Sequence, residues 1–203
     1  SASLVYNGSA AQTTSEELPA AFAKNVTINN TAASPAGVTL SRTTTVSAGA
    51  NCLTLTNGLL LLSNYDFTLS NTTATISGTP DATKMIVTNG SGKFYKQFAT
   101  GASSFTFPVG DVTGTAEYSP VTLNFTANAV AGNAGIIVTD ATHPSMGSSI
   151  DYLSRYWSFT TTGLTTYTYD MTCYYMDADI NGTEASLKVS RWDASIWTEL
   201  TSS

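Results

Sequence analysis

Residues 53–58 read Leu53-Thr54-Leu55-Thr56-Asn57-Gly58, and this stretch contains the pattern that decides the fold. Leu53 and Leu55 alternate with Thr54, and side chains at alternate positions of a β-strand point to the same face. The Asn57-Gly58 pair that follows favours the positive φ angles of a tight turn. The stretch therefore predicts a strand with one apolar face that ends in a turn.

The same apolar-Thr-apolar triplet recurs between residues 25 and 87, and turn-forming residues follow it each time. The triplets are Val26-Thr27-Ile28, Val38-Thr39-Leu40, Leu53-Thr54-Leu55 and Phe67-Thr68-Leu69. A short strand-and-turn unit that repeats can bury its inward side chains against the units above and below it, which is how a solenoid is stabilised. We therefore expect residues 1–90 to form a short right-handed β-helix of stacked rungs.

The composition changes at Gly90-Ser91-Gly92, after which aromatic residues and lysines become more frequent. Strand-like segments continue beyond this point, at a spacing that is typical of an antiparallel β-sandwich. These segments cover residues 104–109, 120–125, 135–138, 156–159, 166–176, 185–192 and 196–200. We expect an all-β chain in which residues 91–203 form an antiparallel β-sandwich, with a domain boundary near residues 88–92.

The overall composition excludes several functional classes. The 203 residues carry a formal net charge of -6 at pH 7, and only 11% of them are charged. Nucleic-acid binding depends on clustered Lys and Arg, which this sequence lacks. The longest leucine run, residues 59–62, is far shorter than the roughly 20 apolar residues that a membrane-spanning helix needs. We therefore expect no nucleic-acid partner and no membrane span.

Candidate catalytic groups are few. His143 is the single histidine, and the sequence has neither a G-x-S-x-G nor an H-E-x-x-H motif. The 14 Asp and Glu residues include no pair that is recognisable as the acid and base of a glycosidase. We expect that the chain is not an enzyme, and we interpret His143 as a solvated turn residue.

One acidic loop offers a candidate metal site with calcium as its ion. In Asp177-Ala178-Asp179-Ile180-Asn181-Gly182-Thr183-Glu184, oxygen-bearing side chains at alternate positions precede a glycine. The candidate ligands are Asp177, Asp179, Asn181 and Glu184. An EF-hand loop would carry a glutamate where Lys188 stands. The alternative interpretation is a polar hairpin, in which Asn181-Gly182 supplies the turn and the carboxylates are solvated.

A second candidate site consists of aromatic residues. It comprises Trp157, Trp192, Trp197 and the tyrosines between Tyr167 and Tyr175, whose rings could stack on sugars. Alternate residues of a strand share a face, and an apolar face is normally buried. The residues that would lie together on this face are Tyr167, Tyr169, Met171, Cys173 and Tyr175. Packing in the core is therefore the interpretation that we favour, with a ligand platform as the alternative.

The two cysteines, Cys52 and Cys173, lie far apart in the sequence and show no C-x-x-C spacing. We expect two buried free thiols. A single disulfide is the alternative, because an oxidising exterior would allow it if the two Cα atoms came within bridging distance.

Several motifs link the chain to a known group of proteins. They are Leu53-Thr54-Leu55-Thr56-Asn57-Gly58, Ser104-Phe105-Thr106-Phe107-Pro108-Val109-Gly110-Asp111, Tyr118-Ser119-Pro120-Val121-Thr122-Leu123, Arg155-Tyr156-Trp157-Ser158-Phe159, Asp177-Ala178-Asp179, Lys188-Val189-Ser190-Arg191-Trp192-Asp193 and Trp197-Thr198. With these motifs the chain resembles a recurring element of large secreted and cell-surface proteins of the Bacteroidetes type, many of them exported by type IX secretion as adhesins. The resemblance implies a spacer or display module and supplies no catalytic residues.

These observations together predict a non-catalytic extracellular module with a structural or adhesive role at a bacterial surface or in a surface fibre. Its expected partners are neighbouring modules or identical subunits, and surface polysaccharide is a further candidate. We expect the apolar strand Ser3-Leu4-Val5-Tyr6 to join one module to the next. Since no signal peptide opens the chain, we expect a processed or excised piece of a longer polypeptide. The alternatives are a carbohydrate-binding module of a secreted protein and a filament subunit that polymerises by strand exchange.

Overall fold

The computed structural model describes residues 2–193 and 195–201, and nearly all of their regular structure is β-strand. The first twelve strands are β1 (Leu4–Tyr6), β2 (Gln12–Thr13), β3 (Ala21–Phe22), β4 (Val26–Asn29), β5 (Val38–Thr39), β6 (Thr44–Val46), β7 (Leu53–Asn57), β8 (Leu60–Leu61), β9 (Phe67–Leu69), β10 (Ile76–Gly78), β11 (Ile86–Val87) and β12 (Phe94–Phe98). The helical segments in the described ranges are two short 3₁₀ turns, Asp177–Asp179 and Glu184–Ser186. The predicted all-β class is confirmed.

The twelve strands form a β-solenoid with three parallel sheets. The first sheet has the order β1-β4-β7-β10, the second contains β2-β5-β8-β11, and the third contains β3-β6-β9-β12. In the first sheet Leu4 lies opposite Val26, and Val26 lies opposite Leu53. Each turn of the solenoid is therefore built from three strands, one in each sheet. The predicted solenoid is confirmed.

The sequence triplets lie on different sheets of this solenoid. Val26-Thr27-Ile28 and Leu53-Thr54-Leu55 stack directly on each other in the first sheet. Val38-Thr39-Leu40 begins with β5 of the second sheet, and Phe67-Thr68-Leu69 is β9 of the third. Triplets that follow each other in the sequence thus occupy different sheets, and the repeating unit is a three-strand turn rather than a single strand.

The core of the solenoid consists of the alternate side chains that the triplets place on one face. Val26 and Ile28 of β4 are fully buried, and so are Phe67 and Leu69 of β9, whereas Thr27 between the first pair is partly exposed. Burial of one such apolar side chain contributes about 1.5–3 kcal/mol. The repeated triplets therefore supply a continuous apolar interior from one turn to the next.

Gly90 and Gly92 lie at a corner of the solenoid. A Cβ atom at Gly90 would overlap the carbonyl oxygen of Ser63, and one at Gly92 would overlap the carbonyl oxygen of Tyr65. Both carbonyls belong to the preceding turn, so successive turns approach each other more closely here than a side chain would allow. The sheets continue on both sides of this corner, because β8 pairs with β11 before it and β9 pairs with β12 after it.

The remaining strands are β13 (Ser103–Phe107), β14 (Val109–Asp111), β15 (Glu117–Tyr118), β16 (Val121–Val130), β17 (Gly132–Thr139), β18 (Tyr152–Leu153), β19 (Tyr156–Thr162), β20 (Thr165–Cys173), β21 (Ile180–Asn181), β22 (Ser190–Asp193) and β23 (Ile196–Glu199). Strand β14 pairs with β11 in parallel and gives the second sheet its fifth parallel strand, so the solenoid has about five turns. Antiparallel pairs then follow, β15 on β14 and β17 on β12, and β13-β16-β20 form a separate antiparallel sheet. The predicted sandwich is not confirmed as an independent architecture, since part of its strands extend the sheets of the solenoid.

The chain divides into two compact units. The first comprises Ser1–Thr139 with Trp157–Tyr174, and the second comprises Asp140–Tyr156 with Tyr175–Ser203. The second unit contains the pair β18-β21 and the hairpin β22-β23. Arg155 and Asp179 are the only buried residues among those described in the second unit. Its apolar side chains are therefore at least partly exposed. Across the described residues, we find no helix with the length and apolar character needed to cross a membrane.

Candidate functional site

The predicted metal loop lies in the second unit, where Asp177–Asp179 forms a 3₁₀ turn. Asp179 is buried, and its Oδ2 atom accepts a hydrogen bond from Nε of Arg155 at 2.8 Å. The same oxygen accepts the backbone N–H of Met176 at 2.9 Å. This carboxylate therefore fixes the start of the turn and compensates the charge of a buried guanidinium.

Arg155 is the partner that sequence reasoning missed as a site residue. Its guanidinium is fully buried, and its Nη2 atom also lies 3.7 Å from Oδ1 of Asp140. A buried arginine has to be compensated by anions, because an uncompensated charge in the interior costs several kcal/mol. The only sequence signal for this role is the position of the arginine directly before an aromatic strand, in Arg155-Tyr156-Trp157.

The other three candidate ligands have different surroundings. Asp177 is exposed, and the side chain of Asn181 donates a hydrogen bond from Nδ2 to the carbonyl oxygen of Asp179 at 3.3 Å. Glu184 accepts the hydroxyl of Tyr175 at 2.9 Å, and this bond raises the pKa of Tyr175. Two of the four carboxylate and amide groups, those of Asp179 and Glu184, are thus engaged by other side chains of the protein. The calcium loop stays a prediction.

The melting temperature tests this prediction. A cation that binds only the folded protein raises the melting temperature as its concentration increases. If the loop binds calcium, the protein should melt at a higher temperature in calcium than in EDTA. Asp177→Asn should remove most of that difference, because Asp177 is exposed and its replacement leaves the buried Arg155 contact intact. Identical melting curves with calcium and with EDTA would exclude the site.

The second unit also brings together four aromatic side chains, which we call the aromatic cluster. Its members are His143, Tyr156, Trp192 and Trp197. The imidazole centroid lies 4.9 Å from that of Tyr156, 4.9 Å from that of Trp197 and 5.7 Å from that of Trp192. Trp192 and Trp197 are paired residues of the hairpin, and the centroids of their indoles lie 5.1 Å apart. His143 is therefore a packed member of a ring cluster and not the solvated turn residue that the sequence predicts.

Two hydrogen bonds hold the rings of the aromatic cluster in place. The indole N–H of Trp197 donates to the carbonyl oxygen of Ser145 at 2.8 Å. The backbone N–H of Ser145 in turn donates to Nδ1 of His143 at 3.1 Å. Because Nδ1 accepts this bond, a neutral imidazole carries its proton on Nε2. One short turn thus orients both an indole and the imidazole.

The other predicted aromatic residues have a different place in the fold. Trp157 belongs to the first unit, where it packs against the apolar core and its indole N–H donates to the carbonyl oxygen of Ser119 at 3.4 Å. Tyr167, Met171 and Cys173 of β20 also pack against that core. Packing in the core is confirmed for these residues, and they are not part of the aromatic cluster. The prediction is wrong for Tyr169, which is exposed, and Tyr175 lies beyond the end of β20, in the second unit.

Both cysteines are free thiols, as expected from the sequence, but Cys52 alone of the two is buried and Cys173 is partly exposed. Cys52 is fully buried, and its Sγ atom donates to the carbonyl oxygen of Thr75 at 3.4 Å. Burial raises the pKa of the Cys173 thiol to about 12 and also raises that of Cys52. Neither sulfur is therefore an activated thiolate at neutral pH.

Comparison of the chain with protein-family models, curated proteins and solved structures finds no match.

Proposed function

We propose that this chain is a non-catalytic structural or adhesive module of an extracellular bacterial surface protein or surface fibre. The observation that carries the proposal is the first turn of the solenoid, where β1, β2 and β3 are the outermost strands of their sheets among the described residues. A solenoid turn with open strand edges is suited to receive another turn from a neighbouring module. The low charge of the chain and its resemblance to bacterial surface proteins support the extracellular location.

The hydrogen bonds identify the backbone groups that would make this joint. Leu4 donates its N–H to the carbonyl oxygen of Asn25 in the second turn. In a parallel ladder the next residue points its N–H and C=O to the opposite side, so those of Val5 point away from the second turn. The same alternation applies to Thr13 in β2 and to Ala21 in β3. We call Val5, Thr13 and Ala21 the open edge, and all three are exposed.

The last turns of the solenoid have a different ending. Strand β15 covers the edge of β14 in the second sheet, and β17 covers the edge of β12 in the third, both in antiparallel orientation. A parallel turn of a second copy would find only the edge of β10 in the first sheet. This asymmetry favours a module joined through its first turn over a filament in which identical subunits stack end to end.

A pair of proline substitutions tests the open edge. Val5→Pro with Ala21→Pro removes two outward N–H groups and no hydrogen bond to the second turn, because proline lacks only the donor that faces away from it. We expect two copies of the unmodified chain to pair head to head through their open edges as concentration rises, and the proline variant to stay monomeric, as measured by light scattering and negative-stain microscopy. Deletion of residues 1–10 is a less specific test, since it also removes the buried Tyr6.

Val5→Ala with Ala21→Ser is the matched control, because it changes the same two side chains and keeps both N–H groups. This control should associate like the unmodified chain. If the unmodified chain and the proline variant have the same size at every concentration, docking through the open edge is wrong.

We also propose the finer features of the fold. The solenoid should be right-handed, as connections between parallel strands of one sheet almost always are. The antiparallel sheet β13-β16-β20 should act as one layer of a sandwich with the third sheet. Ring contacts support this second point: Phe98 of β12 lies 4.8 Å from Phe125 of β16, and Phe94 lies 5.5 Å from Phe107 of β13, measured between centroids.

A further inference from the structure

We infer that the aromatic cluster of the second unit is a binding site for a neutral saccharide. The inference rests on the proposed adhesive function and names the chemical class of the partner. The ring carbons of a pyranose present C–H groups on a flat face, and such a face packs well against an exposed indole. The cluster provides two indoles on neighbouring strands, held at fixed orientations.

The exposure and the ring angles leave a surface on which a sugar could stack. Trp192 is 36% exposed and Trp197 is 37% exposed, although both belong to a cluster with several ring contacts. The planes of the contacting rings are inclined at 55° for the two indoles and at 69° for His143 and Trp197. Neither of these contacts stacks an indole face to face on its neighbour, so the rings do not cover each other's faces completely.

The site is organised before any ligand binds. The hydrogen bonds from Trp197 to Ser145 and from Ser145 to His143 restrain one indole and the imidazole that packs beside it. The pairing of Trp192 with Trp197 across the hairpin restrains the second indole. A ligand then loses little affinity to the ordering of side chains, which is one of the main costs of binding.

Polar groups lie next to the indoles on the same face of the hairpin. Ser190 pairs with Glu199 two positions away from the Trp192–Trp197 pair, and alternate residues of a strand share a face. Nζ of Lys188 donates to Oε1 of Glu199 at 2.8 Å. A hydroxyl, a carboxylate and an ammonium group are thus placed beside an aromatic surface. These are the groups that hydrogen-bond to sugar hydroxyls.

Charge and size favour a neutral saccharide over an anionic one or a protein. The ammonium of Lys188 already pairs with Glu199, and carboxylates outnumber cationic side chains in the second unit. A polyanion would be repelled by this balance. Somewhat more than a third of each tryptophan is exposed, which corresponds to roughly 50–90 Å² per residue. Two such surfaces fit one or two sugar rings, whereas a stable protein partner covers about 800 Å².

Affinity electrophoresis in native gels that contain one soluble polysaccharide at a time tests the inference. The neutral probes are barley β-glucan, xylan, galactomannan and hydroxyethyl cellulose, and alginate is the anionic comparison. We expect at least one neutral probe to retard the chain. Trp192→Ala should weaken that binding at least tenfold, and Trp192→Phe, which keeps a smaller ring, should weaken it less. Trp157→Phe in the first unit is the matched control and should leave retardation unchanged.

A measurement on the unmodified chain covers the case in which Trp192→Ala disturbs the hairpin. On titration with an oligosaccharide of the retarding polymer, the indole N–H resonances of Trp192 and Trp197 should shift, and that of Trp157 should not. The inference is overturned if no neutral probe retards the chain, if only alginate does, or if the resonance of Trp157 alone responds.

The outcome can be separated from the test of the proposed function. The Val5→Pro, Ala21→Pro variant changes only the first unit and should bind the saccharide as the unmodified chain does. Conversely, Trp192→Ala should associate like the unmodified chain. If the unmodified chain associates but binds no neutral saccharide, the site is refuted and the open edge is not. If it binds a saccharide but does not associate, the open edge is refuted and the site is not.

Discussion

Gly58→Ala should destabilise the solenoid by about 2–5 kcal/mol, since a side chain there adds the strain of overpacking to that of a left-handed backbone. Gly101→Ala, at almost the same backbone angle, should cost only about 1–2 kcal/mol. The φ angles are +81° at Gly58 and +82° at Gly101. The pair therefore separates the conformational cost of a side chain from the cost of its contact with the neighbouring turn.

The difference arises from the stacking of the solenoid turns. A Cβ atom on Gly58 would overlap the carbonyl oxygen of Asn30, which belongs to the turn below. This oxygen is part of the backbone and cannot rotate away. The side chain of Asn30 is also fixed, because its Nδ2 donates to the carbonyl oxygen of Ala10 at 2.8 Å and to Oε1 of Gln12 at 2.9 Å. By contrast, no heavy atom of the described residues lies within 4 Å of a Cβ atom on Gly101.

Urea unfolding followed by far-ultraviolet circular dichroism measures both costs. The expected result is a much lower midpoint for Gly58→Ala than for Gly101→Ala, with similar slopes. Equal losses for the two variants would mean that the turns can separate at this corner without cost, which would contradict close stacking at Asn30.

The sequence predicted the solenoid because its triplets place apolar residues on one face, and those residues do fill the core. It did not predict the three-strand turn. Strand β6, Thr44–Val46, has a fully buried threonine at an inward position, and its hydroxyl donates to the carbonyl oxygen of Arg42 at 3.2 Å. An inward threonine breaks the apolar alternation on which the sequence argument depends. The sequence pattern therefore does not predict β6 as a strand of the solenoid.

The glycines near residue 90 show a second limit of sequence reasoning. A flexible linker and a tight approach between two backbones both require residues without a Cβ atom, so Gly90-Ser91-Gly92 fits either interpretation. The structure identifies a corner between stacked turns, because a Cβ atom at Gly90 would overlap Ser63 and one at Gly92 would overlap Tyr65.

The candidate site depends on contacts between residues that are distant in the sequence. The indoles of Trp192 and Trp197 could be paired from the hairpin pattern around residues 193–195. His143 and Ser145 join them only in the folded chain, through the bond from Trp197 to Ser145. Arg155 and Asp179 are likewise brought together only in the folded chain, and no local sequence pattern around either residue predicts their buried ion pair.

Lys96→Met should change how stability depends on pH. Lys96 points into the solenoid between Phe94 and Phe98 and is buried. Its ammonium donates to the carbonyl oxygens of Asn71 and Thr72, each at 3.0 Å, and to that of Gln97. These three bonds use all the donors of the ammonium group. It also lies 5.6 Å from the ring centroid of Phe98, so the charge is surrounded by apolar groups and carbonyls.

Burial lowers the pKa of Lys96 from 10.5 to about 8. Below pH 8 the lysine is protonated in the folded and in the unfolded chain, and the folded chain bears the full cost of the buried charge. Between pH 8 and 10.5 the unfolded chain binds more protons than the folded one, so the free energy of unfolding rises with pH. A difference of this size corresponds to about 3 kcal/mol over the whole window.

The unmodified chain should therefore gain up to about 3 kcal/mol relative to Lys96→Met as the pH is raised from 7 to 10.5. Tyrosines that titrate in the same range are present in both proteins, so their contributions largely cancel in the difference. Cys52→Ala is introduced into both proteins, because the charge of this thiol interacts with that of Lys96. Urea unfolding at closely spaced pH values, with a reducing agent for the remaining thiol, measures this difference. The two proteins can already differ in unfolding free energy at pH 7, because the variant loses three hydrogen bonds but also loses a buried charge. The prediction concerns only how this difference changes with pH.

Lys24→Met is the control, because Lys24 is exposed and its removal should shift the stability by a similar amount at every pH. If the curves of the unmodified chain and of Lys96→Met run parallel from pH 7 to 10.5, the ammonium of Lys96 is as well solvated in the folded chain as in the unfolded one. A rise in the stability of Lys96→Met relative to the unmodified chain between pH 7 and 10.5 would have the wrong sign for a buried base. A steady gain in the stability of the unmodified chain relative to Lys96→Met would show that the solenoid holds a charged lysine in its interior at neutral pH, where its ammonium donates to the carbonyl oxygens of Asn71, Thr72 and Gln97.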